Sequence, residues 1–532
     1  MTNHKSAVRV SFANVIASIG LVLYSIQYFI ALNRKVPFYI KDVDPSYEYL
    51  INGLNITNLS VPGHTDHPGT PLQLIIALSI ILLFQLRSVF GLIDSNKSMN
   101  MDVVLNSENY IYISLSFILC IHIISLIYLM RGIKKNLDIN QFYLLPYILL
   151  FSGNFFSEIS SLKPENLFIP ISNILCALLI KVSKGVKYNN FNKSIVIISA
   201  TSAIALTTKL TLIPFFIFFL FILPIKYKFI FSIYTFVFSL AILVPIRNVF
   251  SVSWFYNILI NNGRWGEERA GKNLSQIFSD ISLVWVQNYP LVAVCLTLII
   301  IFSATSNRKH FVEDNSIIRQ LFLLTMFISA LIYKEVQFRD LISLAPVSSL
   351  LLIILISRIK PILAANVKRF KFNRFIIGFL GSYLIILIFR GSLLNVDFSK
   401  GIPNWTLNND LKTLSGQNSI GFYTTPTHAS GLMFGEAYYG SPNYLNEISR
   451  LYPNYFEFSI WSGDFLSTRG KSYSCHEIRE ILVNKNNYVY ASPSSDINKV
   501  FEMWGINLEL GSNVYLGNDV KQAKIREIKC ND

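Results

Sequence analysis

The chain has 532 residues, 52% of them hydrophobic and only 14% charged, with a mean hydropathy of +0.45. Soluble domains usually carry about 25% charged residues, so this composition excludes a soluble globular enzyme, a disordered chain and a disulfide-built secreted scaffold. The net charge of +15 is unevenly placed: residues 1–391 hold 34 Lys and Arg against 17 Asp and Glu, and residues 392–532 hold 12 against 14. A basic excess confined to the apolar part marks loops on one side of a membrane, not a nucleic-acid surface.

A crossing helix needs roughly 20 apolar residues. The first apolar run, 10–32, is too long for a cleaved signal and lacks a small-residue cleavage site, so it reads as a retained helix. Further apolar segments lie at 70–93, 109–130, 141–158, 165–181, 194–209, 210–225, 229–249, 283–303, 319–333, 340–357 and 374–391. If all of them crossed, most basic loops after residue 94 would lie outside. Keeping 70–93 at the membrane as a re-entrant or surface helix places 20 of the 34 basic residues inside and obeys the positive-inside rule. The expected fold is therefore a polytopic α-helical membrane protein of about eleven spans over residues 1–391. Its N-terminus lies inside, and a long first outer loop covers 33–108. Residues 392–532 are rich in Tyr, Asn, Ser and Gly. Short apolar stretches at 419–424, 488–491 and 514–516 alternate there with helix-like pieces at 475–483 and 497–504. They read as a C-terminal α/β domain outside the membrane, on the outer face.

Cys120, Cys176 and Cys295 lie in apolar runs and read as small core residues. Cys475 and Cys530 lie in the polar tail, where an oxidising outer face favours one disulfide over two buried thiols. No Gly-rich phosphate loop and no metal-spaced Cys/His cluster occurs, so no cofactor is expected, and dependence on a divalent metal is left open.

Acidic residues are scarce in the membrane part, and several cluster. The first outer loop reads KDVDPSYEYLINGL and then GHTDHPGTPLQ. Asp42, Asp44 and Glu48 follow the first span, and Asp66 and His67 precede the 70–93 helix. A solvated loop with a Pro-Gly turn is the plain alternative. Carboxylates at a membrane face beside Tyr47 and Tyr49 are nevertheless suited to general-base work. Cations supply a complement at the outer ends of spans: Lys163 in SSLKPENLF, Lys209 in TTKLTLIP, Arg264 and Arg269 in NNGRWGEERAGK, and Lys334 and Arg339 in YKEVQFRD. Singly each is an interfacial anchor. Together they point to a shared anion such as a lipid phosphate, with Lys209 and Arg339 as the expected core pair.

In order, these elements are a first span, an acidic loop with Asp44 and Tyr47 in DPSY, and His67-Pro68 in DHPGTP before a surface helix. Lys163-Pro164-Glu165, Lys209, GRWG at 263–266 and Arg339 follow, and then an outer domain. This arrangement resembles the GT-C glycosyltransferases, the superfamily of the protein O-mannosyltransferases and of the lipid A aminoarabinose transferase. Departures are visible. Asp42-Val-Asp44-Pro stands in place of an Asp-Glu pair, leaving either aspartate as base. The turn is HPG instead of HPP, and Lys163 stands where an Arg is common. The resemblance implies transfer of a sugar from a polyprenyl-phosphate donor to a hydroxyl or amine of a glycan, lipid or protein acceptor. It implies catalytic roles for Asp44, Asp42, Asp66 and His67. Substrate contacts would fall to Tyr47, Lys163, Glu165, Lys209, Arg264, Arg269, Lys334 and Arg339. A polymerase or ligase of lipid-linked oligosaccharides is one alternative, and a transporter or lipid flippase is another. Polar residues gathered at span ends, with no hydropathy symmetry between halves, weigh against a transporter. A first loop rich in carboxylates, not Arg, weighs against a polymerase.

Overall fold

The computed structural model describes residues 2–32, 38, 43–63, 69–94, 96–150, 161–183, 191–246, 274–287, 289–305, 316–330, 341–366, 419–422, 428–438, 443–458, 464–483, 488–491, 506–515 and 521–530. Over the apolar part the helices are α1 (Thr2–Leu32), α2 (Val43–Thr57), α3 (Thr70–Val89), α4 (Met99–Leu105), α5 (Ser107–Leu137), α6 (Leu145–Leu150), α7 (Phe168–Ser183), α8 (Phe191–Thr208), α9 (Ile213–Ile222), α10 (Ile225–Ile242), α11 (Leu274–Gln287), α12 (Pro290–Thr305), α13 (Ser316–Ala330) and α14 (Leu344–Asn366). Among the described residues, five helical stretches are long and apolar enough to cross a bilayer: Ala13–Leu32, Thr70–Val89, Ser107–Leu137, Pro164–Ser183 and Ile225–Ile242. The protein is a helical membrane protein. The stretch Thr70–Val89, expected at the surface, qualifies as a span by length and composition. The expected segment 283–303 is two helices, α11 and α12, with Pro290 opening the second. Proline lacks a backbone N–H and is tolerated at the first helical position, so it starts a helix there. The expected segment 374–391 lies outside the described residues.

Hydrocarbon offers no water, so hydroxyls in these helices must find partners within the protein. Several bond their own helix. Ser25 Oγ donates to Leu21 O at 2.9 Å, Ser79 Oγ to Ile75 O at 2.8 Å and Thr325 Oγ1 to Leu321 O at 2.8 Å.

By their internal contacts the residues form two compact units. One comprises Met1–Asn33, Thr65–Leu72 and Ser116–Leu387, the other Arg34–His64, Gln73–Leu115 and Ile388–Asp532. The second unit thus draws on the first long loop as well as on the tail. In the first unit α14 is central: every residue of 341–355 is buried, and α7, α12 and α13 pack on it. A helix buried all round needs apolar residues on all faces, as here. Gly20 lets α1 approach α6, because a Cβ there would come within 2.7 Å of the Tyr147 ring. Ile225, Phe229 and Phe236 on α10 are 87%, 72% and 63% exposed, as a lipid-facing helix requires. Cys120 was expected in the core but is exposed on α5. An apolar run does not by itself distinguish lipid-facing from bundle-facing positions.

The tail supplies a sheet to the second unit. Its elements are β1 (Ser419–Phe422), α15 (His428–Met433), α16 (Leu445–Leu451), β2 (Tyr455–Phe458), β3 (Phe465–Ser467), β4 (Ser472–Tyr473), α17 (Cys475–Val483), β5 (Tyr488–Ala491), β6 (Ile506–Tyr515) and β7 (Lys521–Cys530). The seven strands run in the order β4-β3-β2-β1-β5-β7-β6. β1 is parallel to β2 and to β5, and the other pairings are antiparallel. The β1-to-β2 connection through α15 and α16 is the helical crossover that parallel strands demand.

The first loop packs against this tail. α2 lies along the Phe434–Tyr438 turn, and α4 lies on α16. Glycine is required at 435, where a Cβ would fall 2.7 Å from Tyr47 O. Arg87, at the end of α3, bonds both oxygens of Asp102 through Nε at 3.0 Å and Nη2 at 3.1 Å. Tyr110 donates its hydroxyl to the same carboxylate at 2.6 Å. The charge of Arg87 is therefore answered locally.

Cys475 opens α17 and Cys530 closes β7, and they form a disulfide with Cα atoms 6.0 Å apart. The bond fastens α17 to the strand it packs on. Closing a loop with a sequence separation of 55 stabilises by about 4 kcal/mol in the chain-entropy model. The double substitution Cys475→Ser/Cys530→Ser should lower the thermal unfolding midpoint of the full-length protein, and reductant should have no further effect on that variant.

Candidate functional site

The sequence-predicted residues fall into two described groups, one in each unit. In the first unit residues 161–167 form an extended stretch and a 3₁₀ turn, Pro164–Leu167, ahead of α7, and all seven are buried. Pro164 fixes the backbone at the first position of that turn. Lys163 is 6% exposed, Glu165 3% and Lys209 8%. Lys209 follows the last residue of α8 in extended conformation and donates Nζ to Glu165 Oε1 at 2.7 Å. The backbone N–H of Gly69, just past His67-Pro68, donates to Thr208 O at 3.2 Å. Gly69 has φ 52°, a left-handed value suited to glycine. Three separated stretches therefore meet, at Gly69, at Lys163-Pro164-Glu165 and at Lys209.

The finding alters one expectation. Lys209 was expected to pair with an external phosphate, and it has a carboxylate of the chain as partner. An ammonium carries three donors, so the bond to Glu165 does not exhaust the hydrogen-bonding capacity of Lys209.

The segment is braced from below by His122 of α5. Its Nε2 is 2.7 Å from Asn166 O and its Nδ1 is 2.8 Å from Tyr24 Oη. A carbonyl only accepts, so Nε2 carries the proton and Nδ1 accepts from Tyr24. Asn166 Nδ2 donates to Ser161 O at 2.7 Å, closing the loop on itself. His122 was not singled out in the sequence, where a lone histidine in an apolar run carries no periodic signal.

In the second unit Asp44 lies in the first turn of α2. Tyr47, one turn on, is fully buried and donates its hydroxyl to Glu108 Oε1 at 2.8 Å. Glu108 also receives the backbone N–H of Phe38, at 3.1 Å and 2.9 Å to its two oxygens. Ser107 Oγ donates to Tyr47 Oη at 3.2 Å and lies 2.7 Å from His428 Nε2. His428 Nδ1 is 2.9 Å from Tyr452 Oη. One proton arrangement satisfies every link: Tyr452 donates to His428, His428 to Ser107, Ser107 to Tyr47, and Tyr47 to the carboxylate. Burial holds His428 well below the usual range, at about 3, which keeps the imidazole neutral in this chain.

Two buried acids lie close by in the sequence. Glu457 accepts from Ser430 Oγ at 2.9 Å and from the Tyr455 hydroxyl, and burial pushes it up to about 7. Glu436 accepts from Tyr444 N, and burial raises it to about 7 as well. Its Oε2 has no hydrogen-bond partner among the described residues. Neither was singled out in the sequence. β2 is buried on both faces, so alternation carries no signal for Glu457. Asp42, Asp66, His67, Arg264, Arg269, Lys334 and Arg339 lie outside the described residues, as does the side chain of Asp44. Among the described residues no group of three or more His, Cys, Asp or Glu is placed to hold a metal ion.

Fold and site together define a helical membrane protein with buried acid–cation chemistry and a mixed sheet. No protein-family model matches the chain, and no curated protein matches it.

Breaking a buried pair by removing one partner costs about 3–5 kcal/mol, whereas replacing both by apolar groups is often neutral. Lys209→Met and Glu165→Leu should each lower the unfolding midpoint in detergent, and the double variant should recover most of the loss. A raised carboxyl favours the folded state while protonated. Glu457 therefore contributes stability that is fully present below its ordinary 4.5 and is lost as pH rises to about 7. Glu457→Gln should flatten this decline in a pH series of thermal unfolding. His428, held low, acts with the opposite sign: stability rises from about 3 towards its ordinary 6.5.

Proposed function

We propose that the protein is a membrane glycosyltransferase that moves a sugar from a polyprenyl-phosphate donor to a hydroxyl or amine of an acceptor on the outer face. The observation that carries this reading is the meeting of Gly69, Lys163, Glu165 and Lys209 in one buried place. The motifs they belong to are far apart in sequence, and an unrelated bundle has no reason to bring them together. The acceptor oxygen bonds to the anomeric carbon as the bond from that carbon to the phosphate oxygen breaks. The acceptor proton passes to a carboxylate, and the electron pair leaves on the polyprenyl phosphate. The base is assigned to Asp44, with Asp42 as the alternative two residues before it, and catalytic roles are also assigned to Asp66 and His67. Phosphate charge is assigned to Lys163 and Lys209, with Arg264, Arg269, Lys334 and Arg339 contributing. Tyr47 fixes the helix that carries Asp44, since its hydroxyl is engaged by Glu108.

The topology that goes with this reading has about eleven spans in the cytoplasmic membrane, with the N-terminus inside and the sheet domain outside. Buried cations beside a carboxylate suit a leaving phosphate, because low dielectric strengthens their pull on developing charge.

Purified protein given a panel of polyprenyl-phosphate sugars should release polyprenyl phosphate from one of them. General-base catalysis contributes roughly 10²–10⁴-fold, so Asp44→Asn should lower turnover by about that factor without changing the unfolding midpoint. Full activity in both Asp44→Asn and Asp42→Asn would refute the mechanism.

A further inference from the structure

Within the second unit α2 and α3 end in the same way. After α2 the N–H of Leu59 reaches Ile56 O at 3.0 Å and that of Ser60 reaches Asn55 O at 2.8 Å. After α3 the N–H of Gly91 reaches Ser88 O at 3.0 Å and that of Leu92 reaches Arg87 O at 2.8 Å. Each is the paired closure that puts one residue in the left-handed region. Gly91 takes φ 65° there and Leu59 takes φ 58°. Glycine adopts that backbone freely, whereas leucine does so at a cost. Both ends are fastened to the short helix α4. Asn58 Nδ2 donates to Asn100 Oδ1 at 2.9 Å, and Arg87 bonds Asp102.

The corner so formed is apolar and uncovered by protein. Leu59 is 90% exposed, Val89 79%, Phe90 72% and Leu92 64%. Leaving such side chains in water is unfavourable in proportion to their area, and at Leu59 the backbone cost is added. What covers the corner follows from α3. Leu74, Leu78, Ile81, Leu82 and Leu86 are exposed at helical spacing along a stretch apolar enough to cross a bilayer, and they lead into Val89 and Phe90. The corner therefore continues a face whose natural solvent is hydrocarbon.

Charge points the same way. The charged residues of 56–63 and 86–102 are Arg87, Asp94, Lys97 and Asp102. Arg87 is turned inward to Asp102, and Lys97 is 2.8 Å from Asp94. The corner thus has no net charge with which to select an anionic headgroup. Its exposed side chains are Leu, Val and Phe, without the Tyr, Trp or Arg that anchor protein partners.

We propose that Leu59, Val89, Phe90 and Leu92 form a lipid-inserted corner, so that bilayer contact along α3 passes onto the end of α2. Because α4 lies on α16 of the tail, this corner holds the sheet domain to the membrane surface. The inference stands apart from the sugar-transfer reading.

The test places nitroxides on full-length protein in phosphatidylcholine nanodiscs. Cys120→Ala removes the exposed thiol, since Cys176 and Cys295 are buried and Cys475 is bonded to Cys530. Leu59→Cys, Phe90→Cys and Leu92→Cys are then labelled one at a time, with Glu480→Cys on α17 as an exposed control. The logarithm of collision rate with oxygen over that with a water-soluble nickel chelate should be positive at 59, 90 and 92 and negative at 480. It should keep its sign when phosphatidylglycerol replaces phosphatidylcholine. A negative value at 59 and 90 would overturn the proposal, as would shielding from both reagents, which assigns the corner to a protein partner or a second copy. A positive value found only with phosphatidylglycerol would overturn it in favour of a headgroup site. Unsubstituted protein gives a second reading if a variant fails to fold. A phosphatidylcholine with a diazirine in its acyl chain should label Leu59 and residues 89–92 on irradiation. Labelling of Phe229 and Phe236 on α10 with none at this corner would also overturn the proposal.

Discussion

Inside a bilayer no water is at hand to complete a hydrogen bond or solvate a charge, so each polar group in the helices must be answered by the chain itself. That constraint organises much of this protein. Many serine and threonine hydroxyls turn back onto their own helices. Arg87 meets Asp102, Lys209 meets Glu165, and His122 is held between Tyr24 and the Asn166 carbonyl. None of these groups is cheap to bury alone: breaking one side of such a pair leaves a charge or donor in a medium that cannot solvate it. The irregular backbone at 161–167 is tolerated for the same reason, since Ser161, Lys163 and Asn166 bond within the segment and His122 caps it.

α7 sets the geometry of the first unit. One end begins beside a carboxylate and two lysines, and the other closes on a polar cavity. Its buried face leaves no room for polar side chains in between other than Ser172 and Asn173, and Asn173 bonds Ser125 at 3.1 Å. Polar side chains are thus concentrated at the two ends of the helix.

The second unit solves another problem, that of joining a loop near the start of the chain to a tail near its end. Apolar packing of α2 on the 434–438 turn supplies area, and Gly435 supplies the close approach. The Tyr452–His428–Ser107–Tyr47–Glu108 chain supplies specificity, because only one register places each donor opposite an acceptor. Neutral His428 and the raised carboxyls of Glu436 and Glu457 share one cause, which is burial without a full counter-charge. Their opposite signs with pH bound the stability of the unit from both sides.

What the sequence alone determined is the class: a deficit of charge and runs of apolar residues permit only a helical membrane protein, since nothing else buries so much apolar surface. The disulfide, the strands at β1 and β5 and the helix α17 were legible too, because cysteine placement and short β-branched or aromatic runs are local signals. β7 was not. Its residues KQAKIREIKC are charged and pattern poorly, and it is a strand because β5 and β6 flank it on both sides. The partner of Lys209 and the bracing by His122 were equally hidden, for both depend on which helix ends meet in space. Hydropathy records how far a residue prefers lipid to water. Only the tertiary structure decides which of two buried charges stands next to the other, because that choice is made by packing and leaves no trace in local pattern.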